Sequence, residues 1–551
     1  MARTLSWIAV FAAVLCIGAA PAPAGNAAVR PVENACPRPA AGSPIGDPPR
    51  LHSANNVLDV SMSFQTREDE HGRTLYCFMT PDGLQNPTLH VMPGDLLVLT
   101  VTNNTLDGLH PMALSAPNCG ATIMTTASVN IHFHGANVPP TCGADDSLRT
   151  VINPGETFQY RFQIPLDEPP GLYWYHPHIH GVADKMALGG ATGGLIVGGI
   201  EKLQPIVGGM PSRIFLVRDQ KTLAGEEEGD GLCGFTDPQN AVPNHDISVN
   251  YVPIDSSRAP DRVLYTTNSL PVPVGAREFW RVANLSADTI LDLQLLYDGG
   301  PQVLEIVAID GVPVNSQDGI GPGKPIAVTH FRLPTASRVE FIVRTPSEKV
   351  MSARLVTQAV NTGPSGDCNP ARTLFELAAS PQTPPAGYRE AGISPGSGRR
   401  FARLAMATVT ARRTLFFDEE PHVFFMTVDG QSNRAFDPNM PPAIVTNVGA
   451  VERWTVQNRT RESHEFHIHQ IHFLVQKQDF GSQPGAPAIT GQYIDTIDIP
   501  PWDGRGPYPS ATLLMDFRGD IAGRFLFHCH ILSHEDKGMM NVIQVNPAAA
   551  H

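Results

Sequence analysis

Charge is scarce in this chain: Asp, Glu, Lys and Arg supply 17% of 551 residues, and no Lys/Arg run interrupts a formal balance of −14. A surface of that sign repels phosphate backbones and anionic lipid, so nucleic acid is excluded as an expected partner. Long apolar runs are missing too. Beyond residues 5–20 no segment approaches the ~20 apolar residues that a membrane span needs. Cysteine is sparse at 8, and the 15 Met are scattered, with only Met539 and Met540 adjacent. What the chain does have is punctuation: 49 Gly and 51 Pro suit short strands joined by many turns, hence an all-β fold. At ~100–200 residues per domain the length suits three or four domains.

The first 24 residues, with Arg3, an apolar run from Leu5 to Ala20 and the small-residue site Ala22-Pro23-Ala24, read as a secretory signal. A lone Arg gives no twin-arginine pair, so the expectation is export as an unfolded chain, metal loading outside, and a secreted or periplasmic location without a membrane anchor after cleavage. Cys16 leaves with that segment. Cys36, Cys77, Cys119, Cys142, Cys233 and Cys368 can form up to three disulfides in an oxidising compartment, with ~15 connectivities open. Cys529 is left over, and a bound metal is one thing that would keep it as a thiolate.

A repeat divides the chain. VMPGDLLVLTVTNNT, VPVGAREFWRVANLS and TNVGAVERWTVQNRT each run from Gly to Asn-x-Ser/Thr: Gly94 to Asn103, Gly275 to Asn284, Gly449 to Asn458. Each reads as a turn feeding a half-buried strand, and the recurrence favours a turn role for the Asn over glycosylation. The expected domains are 25–200, 201–385 and 386–551, the last boundary lying in the Pro/Gly/Ser-rich stretch Ser380 to Gly398. The copies also differ usefully. The third has His464, His467 and His469 where the second has Ile290, Leu293 and Leu295. At the domain ends, GLYWYHPHIH and GRFLFHCHIL align so that Pro177 stands where Cys529 stands.

Four His-x-His pairs stand out: His132/His134, His176/His178 (with His180 two residues further), His467/His469 and His528/His530. On a strand, residues two apart share a face, about 6.5–7 Å from each other, and the one between points away. One pair alone reads as ordinary surface or core histidine; four, at equivalent ends of two related domains, read as a cluster at their interface. Eight imidazoles exceed one tetrahedral metal and suit several coppers. Parity separates a second site. Cys529 and His464 face the opposite way, and His534 and Met539 can return to them, giving the His₂Cys-plus-thioether set of electron-transfer copper rather than a structural zinc. His180 and His472 read as packed or locally bonded, and His110, His245, His330 and His422 as isolated.

NIHFHG, WYHPHIHG, HEFHIH and HCHILSHEDKGMM, in this order, resemble the three-domain multicopper oxidases of the laccase-like family. The resemblance implies three cupredoxin-like Greek-key β-sandwiches and four coppers. It assigns type 1 copper to His464, Cys529, His534 and Met539, type 2 to His132 and His467, and the type 3 pair to His134, His176, His178, His469, His528 and His530. It implies one-electron oxidation of phenols or aromatic amines coupled to reduction of O₂ to water, and it suggests Glu535 and Asp145, with Asp146 beside it, as proton-relay acids. Oxidation of Cu(I), Mn(II) or Fe(II) is the alternative, with copper storage or a structural coat further behind. A monomer is expected.

Overall fold

The computed structural model describes residues 34–105, 111–112, 119–120, 123–224, 240–316, 323–380, 400–481 and 487–548. The signal segment, Cys16, His110, Cys233 and most of the stretch before the third domain lie outside them. The fold is all-β, and the same two-sheet plan occurs three times.

In each copy the Gly-to-Asn strand lies parallel to the strand that opens its sheet: Leu96–Asn103 beside Val57–Glu68, Arg277–Asn284 beside Ser212–Lys221, and Val451–Asn458 beside Ala411–Glu420. The opening glycines need the left-handed region, with φ of 92° at Gly94, 63° at Gly275 and 94° at Gly449. The closing asparagines are fully buried. Each amide donates to backbone carbonyls across the turn, as from Asn458 to Glu462 and Ile499, and each oxygen accepts the N–H two residues on, at Thr105, Ser286 and Thr460. That satisfies groups a buried turn would otherwise leave unpaired. Two copies share a further detail: Trp280 and Trp454 are buried in the core, with indole N–H groups donating at 2.8 Å to Glu278 and Glu452.

The second sheet of each copy carries the chemistry. In the first unit its order ends Thr88–Val91, Gly193–Val197, Gly171–His176, His132–His134; in the last, Ile444–Asn447, Met540–Asn546, Gly523–Cys529, His464–Ile468, with Thr496–Ile499 on the edge. The register pairs His176 with His132 and His467 with His528, so each domain sets its two His-x-His segments side by side. The middle unit has the same arrangement in Ser269–Val272, Arg372–Ala379, Ala353–Thr357 and Leu291–Tyr297, but Leu293 and Leu295 fill its core. The first unit has its own core cluster, whereas the middle and last units share one.

Disulfides join Cys36 to Cys77 and Cys119 to Cys142, and Cys368 is also disulfide-bonded. Cys529 is buried and free. No helix among the described residues is long and apolar enough to cross a membrane.

Candidate metal centres

The four His-x-His pairs meet between the first and last units, and all eight imidazoles are buried. Their nitrogens fall into groups whose members lie within 4.8 Å of one another: His134, His176 and His530; His178, His469 and His528; His132, His134 and His467. Each of the first two trios draws on both units. The Nε2 atoms of His178 and His469 approach that of His528 at 3.3 and 3.2 Å.

Protein oxygens fix most of the rings by their outer nitrogen. The Nδ1–H of His132 donates to Asp145 at 2.9 Å, of His176 to the Pro177 carbonyl at 2.9 Å, of His467 to the Asp495 carbonyl at 2.9 Å and of His528 to the Cys529 carbonyl at 2.8 Å. His469 Nδ1 lies 3.2 Å from Ser147 Oγ. Nε2 of His132, His176, His467 and His530, and Nδ1 of His134, have no partner among the described residues. Buried polar atoms are seldom left so. Burial, and the proximity of the rings to one another, push these imidazoles down, His176 to about 3 and His528 to about 4, so they stand neutral and able to ligate.

Behind this cluster, Cys529 Sγ lies 3.7 Å from His464 Nδ1 and 3.8 Å from His534 Nδ1, and the two nitrogens are 3.1 Å apart. Cys529 accepts a hydrogen bond from the Glu465 N–H at 3.4 Å. Met539 is buried in the same core, accepting from the Cys529 N–H and donating to the His534 carbonyl, each at 3.0 Å. Burial raises the thiol well above its ordinary value, with the Glu465 carboxyl adding to it; a bound cation is what offsets that cost. A buried free thiol, two neutral imidazoles and a thioether-bearing residue are a donor set suited to copper.

Both expected acids touch the cluster. Asp145 accepts from His132 Nδ1, from the Phe133 N–H at 3.1 Å and from Gln470 Nε2 at 2.6 Å, while Asp146 turns away to an ion pair with Arg149 at 2.6 Å. Glu535 is fully buried, 3.2 Å from His528 Nδ1 and 3.6 Å from His178 Nε2. Burial raises both carboxyls well above the usual range, for Asp145 against the opposing pull of the donors from Phe133 and Gln470.

The other histidines divide. His180 packs edge-on against Phe436 at 4.8 Å, and exposed His330 pairs with Asp292 at 2.9 Å. His472 is bonded, but over a long range, to the Asp310 carbonyl of the middle unit at 2.9 Å. His245 is not isolated: it sits between Asp288 at 3.9 Å and Asp367 at 4.0 Å, both on loops that no spacing in the chain brings to it. Sequence reasoning also missed Asp495, Arg338 and Thr335. Asp495 contacts His134 Nε2 at 3.0 Å, and Thr335 donates to the His530 carbonyl at 2.6 Å.

Residues 123–201 and 408–549 match multicopper oxidase family profiles. Among curated relatives, a laccase of Haloferax volcanii is 25% identical over 76% of this chain and 67% of its own length, and a laccase of Bacillus subtilis 23% identical over 75% and 79%. Among solved structures, the multicopper oxidase McoA of Aquifex aeolicus superposes with a TM-score of 0.64 at 18% identity, over 91% of this chain and 99% of its own. A Campylobacter jejuni multicopper oxidase described as a metallo-oxidase gives 0.62 at 19% identity, over 92% and 96%. The chain belongs to the multicopper oxidases. Within them it is of laccase type, a copper-dependent oxidoreductase that uses O₂ as acceptor.

Proposed function

We propose that the chain holds four coppers in two centres and takes electrons from phenolic or aromatic amine donors. His464, Cys529, His534 and Met539 would hold type 1 copper. His132 and His467 would hold type 2, and the trios His134/His176/His530 and His178/His469/His528 one type 3 ion each. Copper supplies single-electron transfer at the first centre and four-electron reduction of O₂ to water at the second.

One observation carries this reading. Cys529 turns its sulfur toward His464 and His534, while His528 and His530 on either side turn their nitrogens into the eight-imidazole cluster. A donor approaches at His534, the one ligand of its site with an exposed edge, at 8%. Phe424 stacks on that ring at 4.4 Å and holds its plane, and Glu462 lies 3.6 Å from Nε2; burial and the neighbouring Glu419 push its carboxyl up to about 10, so it stands protonated there and can hydrogen-bond a donor's oxygen or nitrogen. Four electrons require four protons. Glu535, beside His528 and His178, and Asp145, beside His132, are the acids placed to relay them.

The crowded acids Glu462 and Glu419 also favour a second reading, oxidation of Cu(I), Mn(II) or Fe(II), because a cation bound between them would displace the proton they hold and relieve their repulsion. O₂ uptake by the copper-loaded protein with a dimethoxyphenol and with each metal ion separates them. Turnover of the phenol is expected; turnover of the metal ion alone would reverse the choice, and copper binding without any turnover would favour storage.

This reading includes domain boundaries near 200 and 385, a monomeric chain, removal of residues 1–24, and a secreted or periplasmic location. The N-terminal sequence of the mature protein tests the last two.

A further inference from the structure

We propose that Asp495 is a positioning residue that makes His134 present Nδ1 to the O₂-reducing centre, and that Arg338 of the ligand-free middle unit holds Asp495 in place. The inference rests on the copper reading above.

His134 is reversed relative to its neighbours. His132, His176, His467 and His528 are anchored by Nδ1 to protein oxygens. His134 is anchored by Nε2, to Asp495 Oδ1 at 3.0 Å, and its unpartnered nitrogen is Nδ1. Which nitrogen of an imidazole ligates is decided by the bond the other one makes. Nδ1 also lies closer to the backbone, so the ring must be held tightly for that nitrogen to reach the same place as His176 and His530.

Asp495 has no exposed surface and would be costly there as a lone charge. Arg338, equally buried, meets it with a two-pronged contact: Nη1 to Oδ1 at 2.9 Å and Nη2 to Oδ2 at 2.6 Å. The same guanidinium donates from Nε to the Leu172 carbonyl of the first unit at 3.1 Å, so one side chain ties all three units together beside His134. Thr496 Oγ1 adds a donor to Asp495 Oδ1 at 2.9 Å.

Gly135 supplies an independent observation. It follows His134 directly, has φ of 82°, and a Cβ built on it would run into Arg338 Nη2 and come within 2.6 Å of Asp495 Oδ2. The glycine that ends NIHFHG is thus where the Arg–Asp pair lies against the His134 backbone. A side chain there would displace the pair.

The test compares Asp495→Leu, Asp495→Asn and Gly135→Ala in the full-length copper-loaded protein. Copper content is measured against a competing chelator, with the near-ultraviolet absorption of the coupled pair and the thiolate-to-copper band of Cys529 read separately. In Asp495→Leu and Gly135→Ala, copper affinity of the imidazole cluster is expected to fall by about 10- to 100-fold, with its band, while the Cys529 band persists. Asp495→Asn keeps an oxygen for His134 Nε2–H and should retain most of the cluster. A purely structural role would weaken both bands together. If Asp495→Leu loses the Cys529 band through misfolding, Gly135→Ala decides. Intact cluster copper in a folded Leu or Ala variant, or an Asn variant as damaged as the Leu one, overturns the proposal. Failure of the wild-type protein to bind copper at the imidazoles would instead remove the reading beneath it.

Discussion

Two strands of this molecule follow one plan and differ tellingly in the side chain that stands between their paired histidines. Gly171–His176 and Gly523–Cys529 each lead into a His-x-His segment, and in both the first imidazole donates to the carbonyl of the residue between, Pro177 at 2.9 Å and Cys529 at 2.8 Å. The backbone of the intervening residue therefore does the same work in both units. The difference is what it sends the other way: a saturated ring in the first, a sulfur among two imidazoles in the last. A short helix follows in each, Ala183–Leu188 and Leu532–Asp536, and six residues past the variable position the first unit has Ala183 where the last has Glu535. Both units supply four imidazoles to one cluster, but only the last carries a second centre and a buried acid beside it. The lesson is that a strand's two faces can be specialised separately, since changing one residue leaves its neighbours' orientation intact.

The largest effect is expected from making the last strand more like the first. Cys529→Ser should abolish oxidation of phenolic donors and the thiolate-to-copper band, while copper at the imidazole cluster, counted by metal analysis and its near-ultraviolet absorption, remains. Loss of both centres together would mean that the faces are not independent. Next, Glu535→Gln, which keeps the shape and removes the acid, should slow O₂ reduction by about 10²- to 10⁴-fold with copper content unchanged. An unchanged rate would deprive Glu535 of a proton-transfer role.

The smallest effect concerns a second acid that the two units treat differently. Three residues before the aligned glycines stand Glu168, buried and accepting from the Asn137 side chain at 2.8 Å, and Asp520, exposed. Burial pushes Glu168 up to about 7, against the opposing pull of Arg400. The folded protein then keeps a proton that the unfolded chain releases near its ordinary value, about 4.5. Stability should therefore decline as pH rises from about 4.5 to about 7, by at most ~3 kcal/mol from this group, and level off above. Glu168→Gln should flatten that part of the pH dependence in thermal unfolding, and Asp520→Asn should leave it in place.

Where the chain's periodicity is local, the sequence was enough to read the fold. The Gly-to-Asn repeat located the buried strand in every unit, because a left-handed glycine and a turn-closing asparagine are demanded by backbone geometry at those points. The metal-facing residues were legible for a related reason: alternation along a strand is a property of two or three neighbours. The supports were not. Asp495, Arg338, Thr335 and Ser147 come from other strands and turns, and their identity as partners of His134, His467, His469 and His530 depends on how the units dock. Gly135 was visible as a letter in NIHFHG, yet what it makes room for lies some 200 and 360 residues away, at Arg338 and Asp495.

Half of the imidazoles at the O₂-reducing centre arrive from one end of the chain and half from the other, so metal ions held there would act as rivets across a seam rather than as fillings within a domain. Whatever binds only the docked form tightens it by mass action. Withdrawing copper should thus change the order in which the molecule comes apart: the joint between its outer thirds would open first, while the first sandwich, held by its own apolar interior, and the other two, which share one, outlast it.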